Sequence, residues 1–304
     1  MGYDEREHAL IEDVLAFEKA WQASPDPAER RDDLEFMRES TLDVLDILTL
    51  LARHRQDLTG LRGVEIGAGS GWVSWLFAEA GVDMWLCELE PNSLYLGTLY
   101  AHERIAAGRR IVCDASYPPF SDGVFDLVVC KQFAHHVRAY ERLFREANRI
   151  LRPGGLLVLY EPTKSLTGIV HYSRHPDPVP EHHYAWPLNY VRALRRAGFE
   201  IRESRTLRVR QARRVPFTRW ANRRASRLPP ARNRSPSDWV ARAFVYVVGG
   251  EFLVFAEKVD EASREPRPTI RVIDPAVLTA TPEDRDLYEP FRQLLLERAR
   301  GIVR

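Results

Sequence analysis

The sequence predicts a doubly wound α/β domain on a mostly parallel, seven-stranded sheet, with helices added before it and a helical tail after it. Three observations carry this expectation. From about residue 60, short apolar runs alternate with amphipathic stretches, the signature of βα units. The first such run, Leu61 to Ile66, ends in a glycine-rich turn, Gly67-Ala68-Gly69-Ser70-Gly71, that opens the next amphipathic stretch. The length, 304 residues with 45% hydrophobic, suffices for one large core with additions. The implied organisation is a helical cap over 1–58, a ligand-binding domain over 59–259 with an arginine-rich insertion at about 205–245, and a linker with a final helix over 260–304.

The chain opens with helix signals. Asp4 and Glu7 read as an N-cap pair ahead of Leu10, Val14, Phe17 and Trp21 at helical spacing; Asp26, Pro27 and Glu29 start a second helix, and Ser40 and Asp43 a third through Leu45, Leu48 and Leu51. These helices are expected to cover the main domain, with a substrate lid as the alternative. After the strand Leu61 to Ile66, the glycines let the backbone turn sharply and come close to a ligand, which a Cβ would obstruct. A helix follows over Trp72 to Ala80, closed by Gly81, and then a second strand, Val82 to Cys87. Glu88 stands at that strand's end, 17 positions beyond Gly71, where a carboxylate can accept hydrogen bonds from both hydroxyls of a ribose; Glu90 is the competitor. A dinucleotide site wants glycine or alanine at the sixth position of the turn. Trp72 occupies it, which argues against NAD or FAD.

The run Val64 to Gly71 resembles the first motif of the Rossmann-like S-adenosylmethionine-dependent methyltransferases, E/D-x-G-x-G-x-G, with Glu65 in its acidic position. Further segments extend the resemblance in order: Ile111 to Ala115 as third strand and loop, Phe120 to Val129 as fourth strand with its leading turn, Phe133 to Val137 as the loop beside the cofactor's methionine part, and Ile150 to Gly155 as the turn before a fifth strand, Leu156 to Tyr160. It implies S-adenosyl-L-methionine as cofactor, held by Glu65, Gly67, Ala68, Gly69, Gly71, Glu88, Asp114 and Ala115, with Asp114 meeting the adenine amino group. The methyl on a sulfonium is already activated, so positioning supplies much of the rate, and a base helps only where the acceptor must lose a proton. His135 and His136 are the candidate bases, with a structural or cofactor-shaping role as the alternative. No metal is expected, because adjacent histidines project differently and no carboxylate or thiolate stands at ligand spacing.

The segment Glu161 to Trp186 is the candidate acceptor wall. It holds His171, Tyr172, His175, His182, His183, Tyr184 and Trp186 among four prolines; His171, Tyr172, His183, Tyr184 and Glu161 are the substrate candidates, and Tyr160 and Glu161 are expected to face the pocket. A helix around Tyr190 to Ala197 ends at Gly198, and Glu200 to Val209 and Glu251 to Lys258 read as the sixth and seventh strands. Twelve arginines lie within 202–234; they read as a solvated helix paired with acidic neighbours or as a dock for an anionic partner. Thr281, Pro282 and Asp284 start the final helix and Gly301 stops it; it packs back on the domain or forms a homodimer contact. Charge is balanced, 44 Lys plus Arg against 43 Asp plus Glu, which with the lack of a nucleic-acid module argues against nucleic acid as partner. Cys87, Cys113 and Cys130 lack metal spacing, and neither signal peptide nor transmembrane segment is visible, so a cytoplasmic setting is expected. The reading is methyl transfer to a small molecule at oxygen, against an RNA- or protein-directed methyltransferase using the arginines, or a non-catalytic cofactor binder.

Overall fold

The computed structural model describes residues 43–45, 47–55, 57–69, 71–89, 105, 109–165, 182–206, 220, 235–248 and 251–262. The helices expected before residue 43, most of the arginine-rich insertion and the final helix lie outside these residues.

Seven strands form one sheet: β1 (Arg62–Ile66), β2 (Asp83–Glu88), β3 (Arg110–Val112), β4 (Phe125–Lys131), β5 (Leu151–Pro162), β6 (Phe199–Thr206) and β7 (Glu251–Lys258), in the order β3-β2-β1-β4-β5-β7-β6. All pairs from β3 across to β5 are parallel; β7 runs antiparallel to β5 and β6, so the expected mostly parallel sheet holds with one strand reversed. The strand order turns back between β1 and β4. Connections leave those two strands in opposite directions, the arrangement that in open α/β sheets puts a ligand-binding crevice at the carboxyl ends of the strands.

The helices are α1 (Trp72–Glu79), α2 (Tyr140–Ile150), α3 (Pro187–Arg196) and α4 (Pro236–Ala243), and residues 43–45 and 47–54 are helical as well. Two apolar cores flank the sheet. On one face Val44, Leu48 and Leu51 of the leading helical residues and Trp75 and Phe77 of α1 pack over Leu127, Val129, Val158 and Phe255. On the other, Leu143 and Phe144 of α2 and Tyr190 and Leu194 of α3 pack over Val64, Val128, Leu157 and Val254. Neighbouring strand residues thus feed opposite cores, which is why the central strands read as unbroken apolar runs. No helix among the described residues is long and apolar enough to cross a membrane.

The start of the fifth strand departs from the sequence reading. The Pro153-Gly154-Gly155 run was expected as a turn ahead of the fifth strand, yet β5 begins at Leu151. Phe125 pairs with Leu151 and Leu127 already with Leu156, so the intervening residues bulge out of a strand that pairs on both sides, with Gly154 at φ +74°. The third strand stops at Val112 and the loop expected after it follows, where Asp114 closes a turn: its Oδ1 accepts the Ser116 N–H at 2.7 Å and its carbonyl accepts the Tyr117 N–H at 2.9 Å.

Candidate functional site

The glycine turn leaves β1 tied to its neighbour, for Gly67 and Ala68 both donate to the Cys87 carbonyl, at 3.0 and 2.9 Å. Gly67 needs its glycine on two counts: φ is +71°, and a Cβ there would come within 2.0 Å of the Phe133 ring. Gly69, at φ +51°, has nothing among the described residues within 4 Å of where a Cβ would stand. Glu88 ends β2 beside it, and its Oε2 accepts the Gly69 N–H at 2.7 Å while Oε1 accepts the Leu89 N–H at 2.7 Å. The carboxylate and the bare backbone therefore line one crevice. Ala68 and Ala115 are buried, and Asp114 holds its turn next to β3.

Glu65 lies one layer deeper. Gly71, the N-cap of α1, brings no side chain to the orphan amides of the helix; Glu65 supplies the acceptor from β1, taking the Ser74 N–H at 2.9 Å and the Ser74 hydroxyl at 2.6 Å. Burial pushes its pKa up to about 8. On the same face Lys131 lies over the rings of Trp72 and Tyr160, at 5.2 and 5.5 Å, and burial depresses its pKa while the carboxylates of Asp43, Glu65 and Glu251 oppose that shift. The Tyr160 hydroxyl donates toward Asp43 at 2.9 Å and also contacts Glu251.

Tyr160 and Glu161 were expected to face one pocket. They are adjacent on a strand and point to opposite faces. Glu161, wholly buried, accepts the Phe133 and Ala134 N–H groups on Oε1 at 2.8 and 2.7 Å, and its Oε2 meets His135 Nδ1 at 2.7 Å. It thereby fixes the chain that follows β4, where Gln132 takes φ +51° before the 3-10 turn Ala134–His136. A carboxylate with two backbone donors is an acceptor, so Nδ1 of His135 carries its proton and Nε2 points away.

Around His135 the loop before α3 assembles a cluster. Tyr184 stacks on the His135 ring at 5.3 Å and 13°, the His183 N–H donates to the His135 carbonyl at 2.6 Å, and the Tyr184 hydroxyl meets His182 Nδ1 at 2.8 Å. The rings of His135, His136 and His182 lie 4.2 to 4.9 Å apart, and their ligand-capable atoms fall within 4.8 Å of one another. His182 stood in the loop singled out for its aromatics but not among the candidate site residues, and Lys131, Asp43, Cys130 and Glu251 carried no signal. The spacing argument against a metal weighed only neighbours in sequence, whereas His182 comes from 46 positions beyond His136. His171 and Tyr172 lie outside the described residues.

Comparison with known proteins accords with this geometry. Residues 64–159 match the family described as methyltransferase domain. An uncharacterised methyltransferase of Mycolicibacterium vanbaalenii is 34% identical over 100 residues, 33% of this chain and 38% of that protein. A ubiquinone biosynthesis O-methyltransferase of Xanthomonas oryzae is 29% identical over 106 residues, 34% of this chain and 44% of that one. The chain thus spans well under half the length of these curated relatives. Among solved structures, a chain of the complex between the Haloferax volcanii Trm112 methyltransferase activator and its candidate methyltransferase superposes with a TM-score of 0.54 at 18% identity, over 79% of this chain and 97% of that one. A candidate sarcosine dimethylglycine methyltransferase from Galdieria sulphuraria gives 0.51 at 18% identity, over 73% and 88%. Residues 64–159 are therefore similar to a methyltransferase domain, and the described chain has the seven-stranded Rossmann-like fold of its solved neighbours.

Proposed function

We propose that this protein transfers the methyl group of S-adenosylmethionine to an oxygen atom of a small molecule, in a reducing, cytoplasmic setting. The observation that carries the reading is the 2.7 Å contact between Glu88 Oε2 and the Gly69 amide, which puts a sugar-gripping carboxylate and an unobstructed backbone on the same crevice. Glu88 would take the ribose hydroxyls, the Gly67 to Gly71 turn the adenosyl sulfonium's close approach, and Asp114 and Ala115 the adenine. When bound, the cofactor supplies an electrophilic methyl on sulfur. The chain's own part is then to place the acceptor in line with the S–CH3 bond, exclude water and accept or relay the acceptor's proton. His135 or His136 would take that proton; His135 is backed by Glu161, stacked by Tyr184 and bonded through its carbonyl to the His183 amide.

Oxygen is favoured over nitrogen because Lys131-Gln132-Phe133-Ala134 follows β4 where an Asn-Pro-Pro-aromatic run would serve amino groups or bases, and because an O-methyltransferase stands among the relatives. The three cysteines are free thiols, in keeping with a reducing compartment.

Calorimetry with S-adenosylmethionine and its demethylated product tests the cofactor, and methyl-labelled cofactor with fractionated cell extract tests the acceptor. Label in small metabolites is expected. Label in RNA or protein would replace the acceptor class, uptake without label would make the protein a binder, and no uptake would overturn the reading.

A further inference from the structure

We propose that the imidazoles of His135, His136 and His182 bind one divalent transition cation of the zinc class, with one coordination position left open. The ligand-capable atoms of the three side chains lie within 4.8 Å of one another. In a tetrahedral site with Zn–N of about 2.0 to 2.1 Å the nitrogens stand about 3.4 Å apart. A bound ion would draw the half-buried His136 and His182 inward around a His135 ring that is buried and held by Glu161.

Two outer contacts are those a ligating histidine uses. A carboxylate or hydroxyl on one ring nitrogen fixes the ring and directs the other nitrogen to the metal. Glu161 Oε2 sits 2.7 Å from His135 Nδ1, and the Tyr184 hydroxyl 2.8 Å from His182 Nδ1. Glu161 is itself pinned by the Phe133 and Ala134 amides, so the first of these orienting groups cannot swing away. The donors select the ion. Three imidazoles suit zinc, cobalt, nickel or copper, whereas magnesium and calcium want oxygen. Cys130 does not compete, because its buried thiol donates to Glu161 on the far side of that carboxylate.

Burial grades from His135 outwards to the half-buried His136 and His182, so the fourth position would lie on the outward side of the cluster, left open as in catalytic rather than structural zinc sites. One consequence rests on the methyl-transfer reading. A hydroxyl acceptor on the open position would shed its proton to buffer near neutral pH; its oxygen then forms the C–O bond as the S–CH3 bond breaks, with the electron pair returning to sulfur.

The test is a Co2+ titration of the full chain after chelation, read by the visible d–d absorption of four-coordinate cobalt. Saturation at one ion per chain is expected, displaced by Zn2+, lost in His182→Ala and retained in His54→Ala, a histidine outside the cluster. Tyr184→Phe, which keeps the ring, should weaken binding about tenfold. Absence of the band in folded wild-type protein, or a band unchanged in His182→Ala, would overturn the proposal. If His182→Ala does not fold, Tyr184→Phe decides, and unaltered affinity counts against the site. Calorimetry with S-adenosylmethionine on the same sample keeps the two readings apart. Cofactor uptake without the cobalt band removes only the cation, and the band without uptake removes only methyl transfer.

Discussion

β4 and β5 end side by side, yet their last residues build two different networks on the two faces of the sheet. Lys131 and Tyr160 turn toward the leading helical residues and α1, where they meet Asp43, Glu65, Trp72 and Glu251. Cys130 and Glu161 turn the other way, toward the 3-10 turn and the histidines. Each face buries a carboxylate almost completely, and each resolves the desolvation differently. Glu161 is surrounded by donors: three backbone amides, an imidazole N–H and a thiol. Glu65 has, among the described residues, only Ser74 as hydrogen-bond donor and answers burial by holding its proton to about pH 8. The contrast separates a carboxylate that positions a loop from one that titrates beneath a helix.

The largest effect is expected where donors crowd one side chain. Glu161→Ala leaves the Phe133 and Ala134 amides and the His135 ring without their acceptor in a buried place, and should destabilise the fold by on the order of 3 kcal/mol or more. Urea denaturation measures it. Glu161→Gln, which keeps one oxygen for the two amides, should lose clearly less; equal losses would mean that charge rather than the amide contacts matters there.

Glu65 gives the opposite signature. The folded chain keeps its proton up to about 8, while the unfolded chain releases it near 4.5, so folding takes up a proton between those values. Its contribution is fully present below about 4.5 and is lost as pH rises toward 8, by on the order of a few kcal/mol. Glu65→Gln can still accept from Ser74 and should flatten that slope, read as melting temperature against pH. Lys131, depressed by burial, adds stability as pH rises beyond its folded pKa, so the variant's curve should bend upward on the alkaline side. A slope unchanged between pH 5 and 7 would mean Glu65 ionises normally.

Glu88, half-exposed, ends β2 beside the glycine turn and belongs to neither network. Glu88→Ala should weaken S-adenosylmethionine binding by about 1 to 3 kcal/mol, roughly 5- to 150-fold by calorimetry, with little change in stability. Unaltered affinity would assign the ribose elsewhere.

What could be read from the chain was what local backbone rules dictate. β1, its glycine turn, α1 and Glu88 follow from a tight turn and a strand end, both written within a few tens of residues. β5 was read short because Pro153-Gly154-Gly155 signals a turn, and only its pairing with β4 shows that the turn is a bulge. The opposite facing of Tyr160 and Glu161 was available from strand alternation once β5 was placed. Neither network was legible as such. Asp43, Tyr160 and Glu251 come from three distant elements, and His182 reaches His135 from a loop without periodicity, so their meeting is set by packing rather than spacing.

The smallest expected effect sharpens the contrast from its charged side. The Tyr160 hydroxyl has one proton to donate, and it lies against the carboxylates of both Asp43 and Glu251, so the two cannot both accept from it at once. Burial and those carboxylates hold its pKa well above the ordinary phenol range, which keeps the proton in place. Tyr160→Phe fills the same volume and removes one shared bond, so it should cost about 1 kcal/mol, a shift of a few degrees in melting temperature. The Glu65 slope should survive, because Ser74 and the burial of Glu65 are untouched. A loss as large as that of Glu161→Ala would show that this face, too, hangs on one side chain, and the distinction between a positioning network and a titrating one would fail.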